Sequence, residues 1–330
     1  MTRRLQLALA LLLLTAGCDS GAPGPGLPSV PQEGFLPGAG GVRIHYLVLG
    51  SGPDMVVAVH GGPGAGIGSL LPELAPLAER FTVVFYDQRG GGQSKLPEDT
   101  ELLGAHHHVG DLEAVRRYLG LERMNLVALS FGAVLVARYA EVHPERVERM
   151  VFFGATGPRR AEAARLARSE ARPQAATVDA ATRRRSSELL RSLVAGASVD
   201  PAADCREYEA LGREIAAAQG RSTAWKGSSC AMPSEAIRYS FRYTAAAGPR
   251  SLGDWDFTDS LGHVQAPLLV VHGAEDAAGT AAQAAWASSV PHGRLLVLPG
   301  HAPSADRPEL FFPAVESFLE GSWPAGSSRP

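Results

Sequence analysis

Short apolar runs alternate with helical segments along most of the chain, and this alternation is the feature that most constrains its fold. Strand-like runs lie at residues 42–49, 55–59, 81–86, 124–129, 147–153, 267–271 and 294–298. Helical patterns lie between or after them, near 67–80, 112–119, 131–142 and 309–319. The run at 55–59 is apolar throughout, as in strands that are buried on both faces. The alternation therefore predicts an α/β fold with a mostly parallel sheet and helices on both faces.

The alternation is interrupted between residues 158 and 250. This stretch is rich in Ala, Arg and Glu and has no strand-like apolar run, and it predicts four helices near 160–171, 178–195, 203–219 and 233–246. The simplest interpretation is one α/β core, residues 35–157 and 251–322, with a helical cap inserted at 158–250. Hydrophobic residues make up 45% of the 330 residues, which is enough to bury such a core. Residues 323–330 are predicted to be a disordered tail.

The first 34 residues have a different character. Two arginines precede an apolar run that is too short to span a bilayer, and small residues follow it, which is the pattern of a secretory signal over residues 1–17. The sequence TAGC at its end resembles a bacterial lipobox, with Cys18 as the lipidated residue; an ordinary signal peptide is the alternative. Residues 18–34 are rich in Pro and Gly and predict a tether. We therefore expect an exported lipoprotein anchored to a cell-envelope membrane, periplasmic or on the outer surface.

Two further cysteines, Cys205 and Cys230, lie in the predicted cap. In an oxidising exported compartment such a pair is readily joined in a disulfide. Two buried free thiols remain the alternative, because the sequence does not show whether the two residues approach each other.

Charge and motifs exclude several classes of protein. The net charge is -3, so the chain lacks the basic character of a nucleic-acid-binding protein. His106, His107 and His108 are adjacent and cannot all face one ion on a helix, and no HExxH sequence is present. No Walker loop or dinucleotide fingerprint occurs. We therefore expect neither a metal nor a cofactor.

A serine stands where an apolar strand is predicted to run into a helix. The sequence LVALSFG ends its strand at Ser130, with Ala128 and Gly132 two residues to either side. A nucleophile elbow needs small residues at these positions, because the tight turn brings the helix against the strand. The usual first glycine is here Ala128. Ser130 is the candidate nucleophile, and a serine at this position excludes the nucleophilic aspartate of other enzymes with such an elbow.

A glycine-rich segment follows the buried strand at 55–59. In the sequence HGGPG at residues 60–64, the glycines let backbone N–H groups point into a cavity. Together with the N–H of Phe131, the N–H of Gly62 is the candidate oxyanion hole, in which each donor contributes about 3–4 kcal/mol to transition-state stabilisation.

An acid and a base follow in the required chain order. Asp276 lies in the loop after the strand at 267–271, and His301 lies just after the strand at 294–298. Active sites of open α/β sheets collect at such strand ends. His301 is predicted to take the proton of Ser130, and Asp276 to orient His301 and stabilise its protonated form. Glu275 is the rival acid.

Four segments together resemble the proline iminopeptidase branch of the α/β hydrolases: HGGPG at 60–64, DQRGGGQS at 87–94, SFG at 130–132 and HPERV at 143–147. The resemblance covers about residues 35–157 and 251–320 and implies an aminopeptidase that acts on short peptides through an acyl-enzyme. In that branch acidic cap residues hold the free ammonium group of the substrate. Here the comparable Trp-Glu pair reads Trp225-Lys226, and the candidates are Glu207, Glu209, Glu214 and Glu235.

Three functions stay open at this stage. The first is a serine aminopeptidase of iminopeptidase type. The second is a hydrolase of carboxylic esters or small amides with the same triad and a different cap. The third is a lipid-anchored binding protein without catalysis, which an intact triad argues against. In each case the partner is a small molecule or short peptide, together with a membrane reached through Cys18.

Overall fold

The computed structural model describes residues 32–171 and 178–330. The predicted signal segment, Cys18 and the tether up to residue 31 lie outside the described residues. Within the described part, no helix combines the length and the apolar character needed to cross a bilayer.

One sheet forms the centre of the fold. Its strands, among the described residues, are β1 (Glu33–Pro37), β2 (Arg43–Leu49), β3 (Met55–Val59), β4 (Thr82–Tyr86), β5 (Met124–Leu129), β6 (Val147–Phe153), β7 (Leu268–Gly273) and β8 (Gly293–Leu298). Their order across the sheet is β1-β2-β4-β3-β5-β6-β7-β8. Only β1–β2 and β2–β4 pair antiparallel. Every residue of β3, β4 and β7 is buried, which explains their continuous apolar sequences. The predicted mostly parallel sheet is confirmed.

Helices cover both faces of this sheet. The helices are α1 (Leu71–Leu74), α2 (Ala105–Tyr118), α3 (Gly132–Val142), α4 (Arg160–Ala171), α5 (Ala180–Ala195), α6 (Pro201–Ala218), α7 (Ser234–Tyr239), α8 (Ala245–Ser251), α9 (Thr280–Ser288), α10 (Pro303–Asp306) and α11 (Pro308–Leu319). Buried side chains of α2, α3 and α9 form one apolar core against the sheet. Those of α1 and α11 form a second core on the opposite face. This three-layer arrangement places the carboxyl ends of β3 to β8 along one edge.

The helix predicted at 67–80 is three short pieces instead. A 3₁₀ turn spans Ile67–Ser69, α1 follows, and a second 3₁₀ turn spans Ala75–Glu79. Pro72 and Pro76 stand near the start of the last two pieces. Each proline lacks an N–H and cannot continue the hydrogen bonds of a longer helix.

The cap has its own small core and a disulfide. Helices α4 to α8 occupy residues 160–251, with a π-helical turn at Ser240–Thr244 between α7 and α8. The structure joins Cys205 and Cys230, with 5.7 Å between their Cα atoms. Leu193 and Ile237 pack against this pair. A 25-residue separation corresponds to about 3.5 kcal/mol of stabilisation in the chain-entropy description.

Two predicted boundaries are wrong. The tether does not extend to residue 34, because β1 begins at Glu33 and pairs with β2. The tail 323–330 is not disordered: Ser328 exchanges two backbone hydrogen bonds with Leu295, of 2.8 and 3.0 Å. The ring of Trp323 packs 4.9 Å from that of Phe318, and the guanidinium of Arg294 lies over it. One partly buried aromatic anchor thus outweighs the Gly, Ser and Pro residues around it.

Candidate active site

Ser130 occupies the turn between β5 and α3. Its φ is 54°, and it is the one non-glycine residue with positive φ in the described chain. A left-handed backbone is costly for a residue with a Cβ and persists only where the surroundings enforce it. Here the Ser130 N–H donates to the Phe153 carbonyl at 3.3 Å, and the Ser130 carbonyl accepts from Ala133 N at 3.2 Å. The turn therefore has the strained geometry expected of a nucleophile elbow.

A cavity of about 340 Å³ opens above Ser130. Asp276 and His301 line it, together with Gly61 and Gly62. Ser130 follows the central strand β5, Gly62 follows the adjacent β3, and the other two follow β7 and β8. The topology thus gathers the predicted nucleophile, acid, base and one oxyanion donor around one cavity. Phe131 does not line it; its ring packs edge-on against Trp255, 6.2 Å away.

The rival acid Glu275, and not Asp276, forms an ion-pair contact with His301 among the described residues. Nδ1 of His301 lies 3.5 Å from Oε2 of Glu275, a side chain that is 62% exposed. Asp276 Oδ1 accepts a 2.9 Å hydrogen bond from the N–H of Ala278. Asp276, unlike Glu275, lines the cavity. Nδ1 of His301 thus faces Glu275 in this structure, whereas Asp276 is held by a hydrogen bond within its own loop.

The loop that carries His301 is held by Asp306 at the end of α10. Asp306 Oδ2 accepts from the N–H groups of His301 and Ala302, both at 2.9 Å, and Oδ1 accepts from the hydroxyl of Ser222 in the cap. Burial opposes ionisation of Asp306, but these hydrogen bonds outweigh the effect of burial and hold the pKa of Asp306 below the usual range. Nothing in the sequence pattern indicated this residue. It fixes the base and ties it to the cap.

The glycine-rich segment is fixed by His60. Burial lowers the pKa of His60, so its ring stays neutral. Its Nδ1–H donates to the Gly61 carbonyl at 2.8 Å, and its Nε2 accepts from Gln88 N at 3.1 Å. Neither the Gly62 N–H nor the Phe131 N–H donates to an acceptor within the described residues. Both groups therefore remain able to donate to a substrate oxygen.

The DQRGGGQS segment, residues 87–94, fixes the loops next to the active site. Asp87 Oδ1 accepts from Ile67 N at 2.6 Å, and Oδ2 accepts from Gln93 N and from the His45 ring, both at 2.8 Å. These bonds join the loop after β4 to β2 and to the turn after the glycine-rich segment. Nearby, Arg89 is fully buried and forms a two-point ion pair with Asp111. The segment is structural: it fixes the loops and lines no part of the active-site cavity.

The comparisons with known proteins agree with this architecture. The family model described as the alpha/beta hydrolase fold matches residues 54–305. The chain belongs to the α/β hydrolase fold family. The proline iminopeptidase of Heyndrickxia coagulans is 36% identical over 121 residues, which is 36% of this chain and 42% of that protein. The matched region is thus less than half of that relative. The proline iminopeptidase of Lactiplantibacillus plantarum is 26% identical over 276 residues, 78% of this chain and 90% of that protein.

A solved structure shows the same fold. The crystal structure of proline iminopeptidase from Mycobacterium smegmatis superimposes with a TM-score of 0.59 at 23% identity, covering 87% of this chain and 97% of the other. At that identity the likeness shows the fold alone. The α/β hydrolase fold predicted from the motifs is confirmed, as is the resemblance to proline iminopeptidases.

In this α/β hydrolase the cap contributes a loop that closes over the nucleophile. Trp225 and Ser229 line the active-site cavity, which the sequence did not predict. Glu73 of α1, almost fully buried, fixes the loop: its Oε1 accepts from Lys226 N at 2.5 Å and Gly227 N at 3.0 Å. The Trp225-Lys226 sequence marked the position, but its contact with the core depends on tertiary packing.

The four candidate glutamates of the cap have different surroundings. Glu207 forms an exposed ion pair with Arg185, and Glu214 and Glu235 are exposed. Glu209 lines a second cavity, beneath α5 and α6, where its carboxylate accepts from Ser228 Oγ and Ser229 N. None of the four lines the cavity above Ser130.

The close approach of Gly61 to the nucleophile gives a testable expectation. A Cβ on Gly61 would lie 2.8 Å from Ser130 Cβ and 3.3 Å from its Oγ. We expect Gly61→Ala to lower kcat/KM roughly 100-fold, because the added methyl group would displace the Ser130 hydroxyl by up to about 1 Å. The control is Gly262→Ala, where the nearest atom would lie at 3.6 Å. Equal activity of the two variants in an esterase assay would contradict the expected crowding.

The cluster around His45 predicts a pH-dependent stability. Burial opposes protonation of His45, but hydrogen bonds to Asp87 and Glu33 raise its pKa above 6.5. Its contribution to stability is therefore complete below the pKa of the unfolded state and is lost as pH rises through the higher folded value. We expect the free energy of unfolding lost in His45→Gln to be larger at about pH 6 than at about pH 9, as measured by urea denaturation.

The control for His45 is His292→Gln, an exposed position next to β8. It should show no such dependence on pH. A His45→Gln deficit of the same size at both pH values would mean that the ion pairs contribute nothing and that only packing was lost.

Proposed function

We propose that this α/β hydrolase is a serine hydrolase in which Ser130 is the nucleophile, His301 the base and Asp276 the acid. The observation that carries the proposal is the left-handed φ of 54° at Ser130, in a cavity that Asp276 and His301 also line. Backbone strain of this kind is maintained where function requires an exposed hydroxyl.

The reaction proceeds in two steps. His301 Nε2 takes the proton of Ser130 Oγ while Oγ attacks the carbonyl carbon of the substrate, and the N–H groups of Gly62 and Phe131 stabilise the oxyanion. His301 then gives the proton to the leaving amine or alcohol, which departs and leaves an acyl-Ser130 ester. Water, deprotonated by the same histidine, hydrolyses that ester and restores the hydroxyl. No redox partner or metal is needed for the balance.

We propose an aminopeptidase of the proline iminopeptidase type, which releases the N-terminal residue of short peptides. The support is the two relatives that carry that name and the four segments that resemble that branch. A second candidate is a hydrolase of carboxylic esters or small amides. It is favoured by the lining of the active-site cavity, where, among the described residues, the one carboxylate is that of Asp276. In the proposed mechanism Asp276 orients His301, which leaves no free carboxylate there for an ammonium group.

Three assays test these proposals on the purified chain. A fluorophosphonate probe should label the wild type at Ser130, and absence of labelling would favour a binding protein without catalysis. Cleavage of proline-naphthylamide that is lost when the prolyl nitrogen is acylated supports the aminopeptidase. Hydrolysis of p-nitrophenyl acetate and butyrate without amide cleavage supports the esterase instead.

We also propose that Cys18 carries a lipid that anchors the enzyme in the cell-envelope membrane. The support is the sequence of residues 1–18 alone. Palmitate labelling in the producing bacterium should mark the wild type and not Cys18→Ser. If both proteins are labelled equally or neither is, Cys18 is not the lipidated residue.

A further inference from the structure

A cavity that is larger than the one above Ser130 lies in the cap and adjoins the active site. It measures about 980 Å³ and lies between α5, α6 and the loop at 221–229. Ser69, Trp225 and Ser229 line both this cavity and the smaller one above Ser130. The two spaces therefore lie on either side of the same three residues, so that a ligand reacting at Ser130 is adjacent to the cap cavity.

The charged side chains that line the cap cavity are mostly basic. Within the described residues they are Arg183, Arg213, Arg221 and Glu209. The carboxylate of Glu209 accepts hydrogen bonds from Ser228 Oγ at 2.6 Å and Ser229 N at 2.8 Å, which fix the loop. Three cations and one acid give this wall an excess of positive charge, and the acid accepts hydrogen bonds from the loop at 221–229 rather than pairing with one of these arginines.

None of the three arginines forms an ion pair with a side chain in 32–166 or 178–330, the ranges whose side chains the structure describes. The neighbouring Arg185 does form one, with Glu207, so acids on these helices are within reach of surface arginines. Moreover, Nε of Arg221 is buried and donates to no acceptor in the described part of the chain. A buried donor on a cation is costly to leave unpaired, and a planar guanidinium is suited to binding a carboxylate.

We propose that the cap cavity binds a carboxylate of the substrate, with Arg221 and Arg183 as its partners. The inference rests on the proposed function, because it states where the far end of a substrate binds when the scissile carbonyl of that substrate lies at Ser130. The positive wall disfavours a free ammonium group there by charge repulsion. The carboxylate can belong to the leaving group, as the C-terminus of a short peptide, or to the acyl group, as in the monoester of a dicarboxylic acid.

Matched substrates test the proposal and separate the two sources. On the acyl side, mono-p-nitrophenyl glutarate is compared with p-nitrophenyl butyrate. On the leaving side, prolyl-glycine is compared with prolyl-glycinamide. We expect the wild type to favour the anionic member of at least one pair by about 10-fold or more in kcat/KM, since hydrogen bonds to charged groups are the strong ones. The preference should shrink as NaCl is added.

Variants test which side chains cause the preference for the anionic substrate. Arg221→Gln and Arg183→Gln should bring the ratio between the paired substrates close to one, mainly through KM. Arg184→Gln is the control: it removes the same charge from the exposed side of α5, outside both cavities, and should leave the ratio as in the wild type. A wild-type ratio of one for both pairs, or equal effects of all three variants, overturns the proposal.

A binding measurement tests the carboxylate site in the cap independently of the proposed catalytic function. The variant Ser130→Ala is titrated by calorimetry with mono-p-nitrophenyl glutarate and with p-nitrophenyl butyrate. Tighter binding of the anionic ester that is lost on adding Arg221→Gln supports the cap site even if no substrate is turned over. Equal binding within this pair and also within the pair of prolyl-glycine and prolyl-glycinamide, titrated in the same way, overturns the inference, whereas loss of all hydrolysis and probe labelling in the wild type overturns the proposed function alone.

Discussion

Replacing Ser130 by alanine should abolish hydrolysis and labelling by a fluorophosphonate. We expect kcat to fall on the order of 10⁶-fold, because removing the nucleophile of such a triad costs about as much as removing the triad. The backbone turn should persist, since the hydrogen bonds that enforce it come from main-chain groups of Phe153 and Ala133. Initial rates with p-nitrophenyl butyrate, together with a thermal melt to verify folding, measure the effect.

The matched control for this variant is Ser304→Ala. Ser304 lines the same cavity, is almost fully buried, and its hydroxyl forms no hydrogen bond within the described chain. Its replacement should leave most activity. Retention of full activity in Ser130→Ala would end the proposed mechanism, and comparable losses in both variants would show that the cavity responds to any loss of a hydroxyl.

The second large effect is expected at Asp276. We expect Asp276→Asn to lower kcat about 10⁴-fold, because in the proposed mechanism the Asp276 carboxylate orients the His301 ring during catalysis. Glu275→Gln should change kcat by less than about 5-fold. Although Glu275 is the carboxylate 3.5 Å from the ring, its side chain is 62% exposed, and water screens such a pair to a value of about 1 kcal/mol or less.

The pair of variants decides which acid acts. If Glu275→Gln lost as much activity as Asp276→Asn, the role would be shared between the two neighbours. If only Glu275→Gln were impaired, the contact seen in the structure would be the catalytic one. Folding of each variant is verified by its urea midpoint, since Asp276 also holds its own loop through Ala278.

The sequence predicted the sheet, the strand-to-helix turn and the cap helices because these depend on local periodicity. The strand that ends at Leu129 and the helix that begins at Gly132 lie where the apolar pattern changes. The strand β1 was missed because its five residues include Gly34 and Pro37, and antiparallel pairing at the sheet edge stabilises it rather than its own composition.

The candidate site was predictable to the extent that strand ends carry it. Ser130, Asp276 and His301 each follow a strand of one parallel sheet, so their shared cavity follows from the topology. Asp306 and Glu73 were not predictable. Asp306 bonds to Ser222 and Glu73 bonds to Lys226, both far away in the chain and in a loop whose path depends on the cap, and no spacing in the sequence records such contacts.

The loop over the nucleophile is fastened at two points to the core, through Glu73 on one side and through Ser222 and Asp306 on the other. Widening the entrance would break several hydrogen bonds to carboxylates at once, each stronger than a bond between neutral groups. We therefore expect the opening to discriminate between substrates by size. Folded polypeptides and long acyl chains should be excluded, and small molecules should enter without any large rearrangement of the loop over the nucleophile.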